Sequence, residues 1–111
     1  MTNKKIMVAD DEIDIAEVIS DKIKLHYPKA DIEIYTASEK ALEILSKKKD
    51  DYSLLISDIR FKGQKIQGLE LIASARKIFS TLSIIACSAN DYKDAALSAG
   101  ANDFMPATKL C

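Results

Sequence analysis

Short apolar runs alternate along this chain with longer segments in which apolar residues recur at helical spacing. The runs predict five strands at 4–9, 31–36, 53–57, 82–87 and 101–105. The first, third and fourth runs are apolar almost throughout, which is typical of strands covered on both faces of a parallel sheet. Five strands alternating with four amphipathic helices therefore predict an α/β fold with a parallel sheet.

The sequence also indicates where the helices begin and end. Asp11, Ser38 and Asn90 each precede a helical segment, and we expect them to cap the first, second and fourth helices. The third helix is predicted to begin near Gly68. Gly100 follows the fourth segment and is expected to end it as a C′ glycine.

Length and composition narrow the possible classes of function. A chain of 111 residues, 48% apolar and 30% charged, is predicted to form one soluble domain. Its net charge of −1 gives no general attraction to nucleic acid or to an anionic membrane, and no apolar run could span a bilayer. Cys87 and Cys111 are too few for a disulfide framework or a metal-binding set, and Cys87 is expected to be buried. These features favour a cytoplasmic protein.

Acidic and hydroxyl residues stand where three predicted strands end. Asp10 and Asp11 follow the first strand, Asp58 the third and Ser88 the fourth. The element pattern resembles a flavodoxin-like sheet of strand order 2-1-3-4-5, in which these three strands are neighbours about 4.8 Å apart. Each residue alone most simply opens a turn or a helix, but together they predict a cluster at the carboxyl edge of the sheet. Adjacent carboxylates require a balancing cation, and oxygen ligands favour Mg²⁺.

A cation at this edge would enable Asp58 to act as a nucleophile. Its carboxylate could attack a phosphoryl group and form an acyl phosphate. The hydroxyl of Ser88 and the backbone N–H of Ala89, close to the start of the fourth helix, could donate to phosphoryl oxygens.

Four pieces of the sequence, IMVADDE, LLISD, CSA and AGANDF, resemble a response-regulator receiver domain of bacterial two-component signalling over residues 4–105. The resemblance implies a Mg²⁺ ligand set made of the carboxylates of Asp10, Asp11 and Asp58 and the backbone carbonyl of Arg60. It further implies that Asp58 is the phosphoacceptor, Ser88 the switch hydroxyl and Phe104 the switch aromatic.

The resemblance also implies partners. The phosphoryl donor would be a phosphohistidine on a sensor histidine kinase or phosphotransfer protein, and phosphorylation would shift the surface of the fourth helix and fifth strand. Such a domain catalyses its own phosphorylation and slow dephosphorylation, without being a turnover enzyme. Neither nucleic acid nor a membrane is an expected partner of this domain.

Two segments depart from the pattern of the family. Receivers place a lysine and then a cis-proline after the fifth strand, where this chain has Ala107 and Thr108. Lys109 is a candidate stand-in, because strand periodicity puts positions 107 and 109 on one side. The usual Met-Pro pair after the phosphoacceptor is replaced by Phe61 and Lys62, in a longer loop.

The last residue, Cys111, lies where a receiver would continue into a fifth helix. We therefore expect a single receiver domain over 1–111 without its C-terminal helix. The apolar patch left beside the first helix could be buried in a homodimer.

Two other functions remain open. The missing lysine favours a pseudo-receiver, a protein–protein interaction module that signals without phosphate. A phosphatase of the haloacid-dehalogenase type also uses an aspartyl nucleophile, but it needs a second acid where this chain has Arg60.

Overall fold

A computed structural model describes residues 4–106, so the predictions for Ala107, Thr108 and Lys109 lie outside the described residues. A short 3-10 helix, Lys49–Asp51, precedes the third strand. The remaining elements, in chain order, are β1 (Lys5–Ala9), α1 (Ile13–His26), β2 (Asp31–Tyr35), α2 (Ser38–Lys48), β3 (Tyr52–Asp58), α3 (Gly68–Ile78), β4 (Ser83–Ser88), α4 (Lys93–Ala99) and β5 (Asp103–Pro106). No helix within residues 4–106 has the length and apolar character needed to cross a membrane.

The five strands form one parallel sheet of order β2-β1-β3-β4-β5, which confirms the predicted flavodoxin-like fold. Within residues 4–106, no helix follows β5. The register aligns the carboxyl ends of the three central strands, because Ala9 pairs with Ser57 and Asp58 pairs with Cys87. Side chains that follow these strands therefore emerge beside one another.

The sheet carries a hydrophobic core on each face. Alternation along β1 sends Met7 to one face and Val8 to the other, and both are fully buried. The larger core contains buried residues of α2, α3 and α4, whereas α1 contributes to the smaller one. On the α1 face of the sheet, Ile56 and Cys87 are buried, whereas Leu54, Ile85 and Met105 are only partly buried. Burial of an apolar patch beside α1 in a homodimer stays a prediction.

Three predicted helix caps are wrong, and in two of them the side chain bonds to another part of the molecule. Asp11 does not cap α1, and its Oδ2 instead accepts the backbone N–H of Lys62 at 3.0 Å. Ser38 is the first residue of α2, and its Oγ donates to the carbonyl of Ile66 at 2.6 Å. Asn90 lies before the start of α4 and does not cap it. Gly100 ends α4 with a φ of 122°, as predicted.

Candidate functional site

The acidic residues predicted to converge do meet at the carboxyl edge of the sheet. Asp10 directly follows β1, and Asp58 is the last residue of β3. Asp10, Asp11 and Asp58 each offer a carboxylate oxygen, and these oxygens all lie within 4.8 Å of one another. The topology brings them together because β1 and β3 are adjacent and end at the same level.

Backbone N–H groups orient each of the three carboxylates. Asp10 is 3% exposed, and its Oδ1 accepts the N–H of Glu12 at 2.9 Å. Oδ1 of Asp58 accepts the N–H of Ile59 at 2.7 Å. Oδ2 of Asp11 is held by the loop after β3, as described above. The three side chains are thus oriented by the surrounding backbone, a preorganisation that favours a defined site.

Burial and mutual repulsion disfavour the charged forms of two of these acids. Burial is the main cause that raises the pKa of Asp10 to about 7, with a further contribution from the charges of Asp58, Asp11 and Glu12. Burial likewise raises the pKa of Asp58 to about 6, and Asp11 adds to the effect. Within residues 4–106, none of the three carboxylates forms an ion pair with a lysine or arginine. The site therefore carries an excess of negative charge.

The raised pKa values predict that metal-free protein loses stability as the pH rises. Asp10 and Asp58 have an ordinary pKa of 3.8, so between that value and about 6 to 7 the native state binds more protons than the unfolded state. We expect the free energy of unfolding to fall by about 1–2 kcal/mol between about pH 5 and 8. This figure is discounted because Asp58 is partly exposed and because both acids border the cavity. Chemical denaturation across this range measures the effect.

The control for this experiment is the same titration with saturating Mg²⁺, compared with NaCl at matched ionic strength. Mg²⁺ should remove most of the loss, whereas NaCl should screen it only in part. Stability that rises between about pH 5 and 8 without metal would contradict the assignment, because it would indicate carboxylates stabilised in their charged forms.

The three carboxylates border a cavity of about 480 Å³. The predicted site residues Arg60, Ser88 and Ala89 also line it. Ser88 is 5% exposed, and its Oγ accepts the N–H of Asn90 at 3.2 Å. The remaining lining residues are Glu12, Ile15, Ile19, Lys62, Cys87 and Asn90. The acids, the hydroxyl and the backbone of the loop after β3 thus share one cavity.

The donor set around this cavity fits a hard divalent cation. Carboxylate oxygens supply charge, the backbone carbonyl of Arg60 is a possible neutral oxygen ligand, and the cavity leaves room for water or phosphoryl oxygens. Mg²⁺ is commonly bound by one or two carboxylates together with water and phosphate. The residues present therefore fit Mg²⁺.

Phe104 does not line this cavity. It is half-buried on β5, packs against the larger core, and borders a second cavity together with Ala89, Asn90 and Lys93. Ala89 and Asn90 line both cavities, so they connect the acidic site to the surface of α4 and β5.

Sequence reasoning missed the part played by the loop between β3 and α3. Lys62 donates its N–H to Asp11, and Gln64 and Gln67 hold the loop through their side-chain amides. One sequence signal could have indicated Gln67: Glu70 follows three residues later, the spacing of a capping box, and the structure contains that box. The contacts of Gln64 are tertiary and leave no such pattern.

Comparison with known families identifies residues 6–107 as matching the model described as a response regulator receiver domain. This match covers most of the 111-residue chain. A comparison with curated protein sequences found no match.

Several solved receiver structures share the fold. The receiver domain of NtrX from Brucella abortus is 24% identical, with a TM-score of 0.80 over 96% of this chain and 91% of that one. A response regulator receiver domain protein from Clostridium thermocellum is 22% identical, with a TM-score of 0.76 over 96% and 87%. A mutant receiver domain of the histidine kinase CKI1 from Arabidopsis thaliana is 18% identical, with a TM-score of 0.80 over 95% and 81%.

Proposed function

Because this chain belongs to the response regulator receiver domain family, we propose that it accepts a phosphoryl group on Asp58 in a Mg²⁺-dependent reaction. Receiver domains interact with histidine kinases or phosphotransfer proteins, and a phosphohistidine of such a partner is the proposed donor. The observation that carries this proposal is the convergence of three carboxylate oxygens within 4.8 Å, one of them from the last residue of β3.

The proposed reaction transfers the phosphoryl group between two side chains. An ionised oxygen of Asp58 attacks phosphorus, the P–N bond to the donor imidazole breaks, and its electron pair returns to the imidazole nitrogen. The product is an acyl phosphate on Asp58. A pKa of about 6 leaves Asp58 mainly ionised at neutral pH, as a nucleophile requires. Mg²⁺, when bound, would offset the repulsion between the acids and the phosphoryl group and stabilise charge on a phosphoryl oxygen.

Ser88 and Ala89 are the proposed ligands of the other phosphoryl oxygens. Since the Oγ of Ser88 accepts a bond from Asn90, its own proton remains available for donation. Movement of Ser88 toward the phosphoryl group would displace Ala89 and Asn90, which also border the cavity beside Phe104. This connection supports a conformational switch from Asp58 to the surface of α4 and β5.

Incubation of the protein with a small phosphodonor tests this function. We expect Mg²⁺ to promote the gain of one phosphoryl group, detected by intact-protein mass spectrometry, and excess chelator to suppress it. The modification should be labile to hydroxylamine, as an acyl phosphate is. No Mg²⁺-dependent gain from either the small donor or a phosphorylated histidine kinase would contradict the proposal.

A pseudo-receiver is the second candidate function. It is favoured by Ala107 at the family lysine position. A pseudo-receiver should bind its partner equally well before and after treatment with the phosphodonor. A phosphodonor-dependent change in partner affinity or oligomeric state would exclude it.

A further inference from the structure

One side chain, Gln67, holds both peptide groups that flank Phe61. Its Oε1 accepts the N–H of Phe61 at 2.9 Å, and its Nε2 donates to the carbonyl of Phe61 at 2.8 Å and to that of Gln64 at 2.7 Å. Phe61 is fully buried in the larger core. Around Phe61, the loop after β3 is therefore held by a buried ring, by the amide of Gln67 and by the backbone N–H of Gln64, which donates to the Phe61 carbonyl at 3.0 Å.

The first of these bonds controls the direction of the Arg60 carbonyl. The N–H of Phe61 and the C=O of Arg60 belong to one planar peptide group, and no cis peptide bond occurs within residues 4–106. In a trans peptide these two groups point in opposite directions, so holding the N–H toward Gln67 turns the carbonyl away from Gln67. Arg60 lines the acidic cavity, whereas Gln67 does not.

The second bond, together with the backbone N–H of Gln64, which donates to the same carbonyl at 3.0 Å, holds a peptide whose N–H reaches Asp11. The C=O of Phe61 shares its peptide plane with the N–H of Lys62, which donates to Oδ2 of Asp11 at 3.0 Å. A proline, which the receiver pattern usually has at this position, could not donate this bond. The replacement of that proline by Lys62 thus provides a donor that holds one of the proposed metal ligands.

We propose that Gln67 is a positioning residue for the metal site: through the two peptides around Phe61 it aims the Arg60 carbonyl and the Asp11 carboxylate. The inference rests on the proposed function, because it assigns these two groups to a Mg²⁺ ion. Gln67 itself lies outside the cavity, just before α3. Its hydrogen bonds hold the peptides that carry or contact two of the proposed ligands. Such outer contacts commonly change metal affinity by about 10- to 100-fold when they are removed.

Gln64 provides a matched control in the same loop. Its Oε1 accepts the N–H of Ser38 at 2.8 Å, and its Nε2 donates to the carbonyl of Thr36 at 2.9 Å. Its side chain thus anchors the loop to the start of α2, but it has no hydrogen bond to the peptides that flank Phe61. Loss of the Gln64 amide should loosen the loop without releasing the Arg60 carbonyl.

Gln67→Ser separates two roles of this side chain: its hydrogen bonds to the peptides around Phe61, and its capping of α3. Gln67 is also the N-cap of α3 in a capping box with Glu70, and serine is a strong N-cap whose short side chain cannot reach both peptide groups. Gln67→Asn, shorter by one methylene, is the second variant. The full chain should be titrated with MgCl₂ while backbone amide chemical shifts are followed by NMR, and unfolding by urea should be measured alongside.

We expect Gln67→Ser to weaken Mg²⁺ binding about tenfold or more, with faster hydrogen exchange of the Lys62 amide, and Gln67→Asn to show the same direction. Gln64→Ala should lose about as much stability as the Gln67 variants. Its Mg²⁺ affinity should nevertheless remain within about twofold of that of wild type. Wild-type affinity in either folded Gln67 variant, or an equal loss in Gln64→Ala, would overturn this inference and leave the proposed function standing. A wild-type protein that binds no Mg²⁺ would overturn both.

Discussion

Asp58→Asn is expected to reduce uptake of a phosphoryl group to the background of the assay. An amide oxygen is a poor nucleophile, and no neighbouring acid occupies the same position at the end of β3. The same change should stabilise the metal-free protein by about 1 kcal/mol near pH 8, because it removes a charge that burial and Asp11 disfavour, a gain discounted for the partial hydration of the side chain. Mass spectrometry and urea denaturation measure the two effects.

Asp50→Asn is the matched control for this prediction. Asp50 is exposed in the short 3-10 helix, so its replacement changes the net charge equally without touching the cavity. It should leave both phosphorylation and stability close to those of wild type. Persistent phosphorylation of Asp58→Asn, or a loss of its stability, would show that Asp58 is not the buried acceptor proposed here.

Gly68→Ala is expected to destabilise the protein by about 3 kcal/mol, because α3 begins against the backbone at the end of β3. A Cβ at Gly68 would lie 2.0 Å from the backbone oxygen of Asp58 and 2.5 Å from Cα of Ile59. The N–H of Gly68 also donates to the carbonyl of Ile59 at 2.8 Å. Because backbone atoms form the obstacle, either α3 or the end of β3 must move. The shift in the urea midpoint measures the cost.

Gly63→Ala is the comparison in the same loop. Gly63 has a φ of 75°, but a methyl group added there would meet nothing within 4 Å, so the expected cost is only about 1 kcal/mol from the left-handed backbone. Gly68→Ala should also lower phosphorylation of the folded protein, since the clash lies at Asp58 itself. Equal destabilisation by the two substitutions would contradict the close approach of α3 to β3.

The fold and the convergence of the acids could be predicted because both follow from strand order. Apolar runs without alternation indicate a parallel sheet, and adjacent parallel strands place their carboxyl ends at one edge. Asp10 and Asp58 therefore meet at that edge, and Asp11 follows Asp10 directly, although the loop after β3 sets the direction of its carboxylate. Their proposed roles in metal binding and phosphoryl transfer stay predictions, as do those of Ser88 and Phe104.

The helix caps and the loop contacts could not be predicted because they depend on tertiary partners. Asp11 has the chemistry of a cap, but the N–H of Lys62, far along the chain, binds its carboxylate. Ser38 similarly donates to the carbonyl of Ile66. Rules for helix capping consider only a side chain and the helix that follows it. They contain no information on a distant loop that folds against that side chain. The hydrogen bonds from Gln67 to the peptides around Phe61 could not be predicted for the same reason.

A crystal structure of the protein with Mg²⁺ and a trifluoroberyllate phosphoryl mimic is the decisive test of whether Asp58 accepts a phosphoryl group beside a bound metal ion. We expect beryllium bonded to a carboxylate oxygen of Asp58, and Mg²⁺ bound by the carboxylates of Asp10, Asp11 and Asp58 and by the carbonyl of Arg60. The hydroxyl of Ser88 should donate to a fluorine of the mimic. A cavity that excludes the metal, or a mimic bound at another side chain, would contradict this proposal.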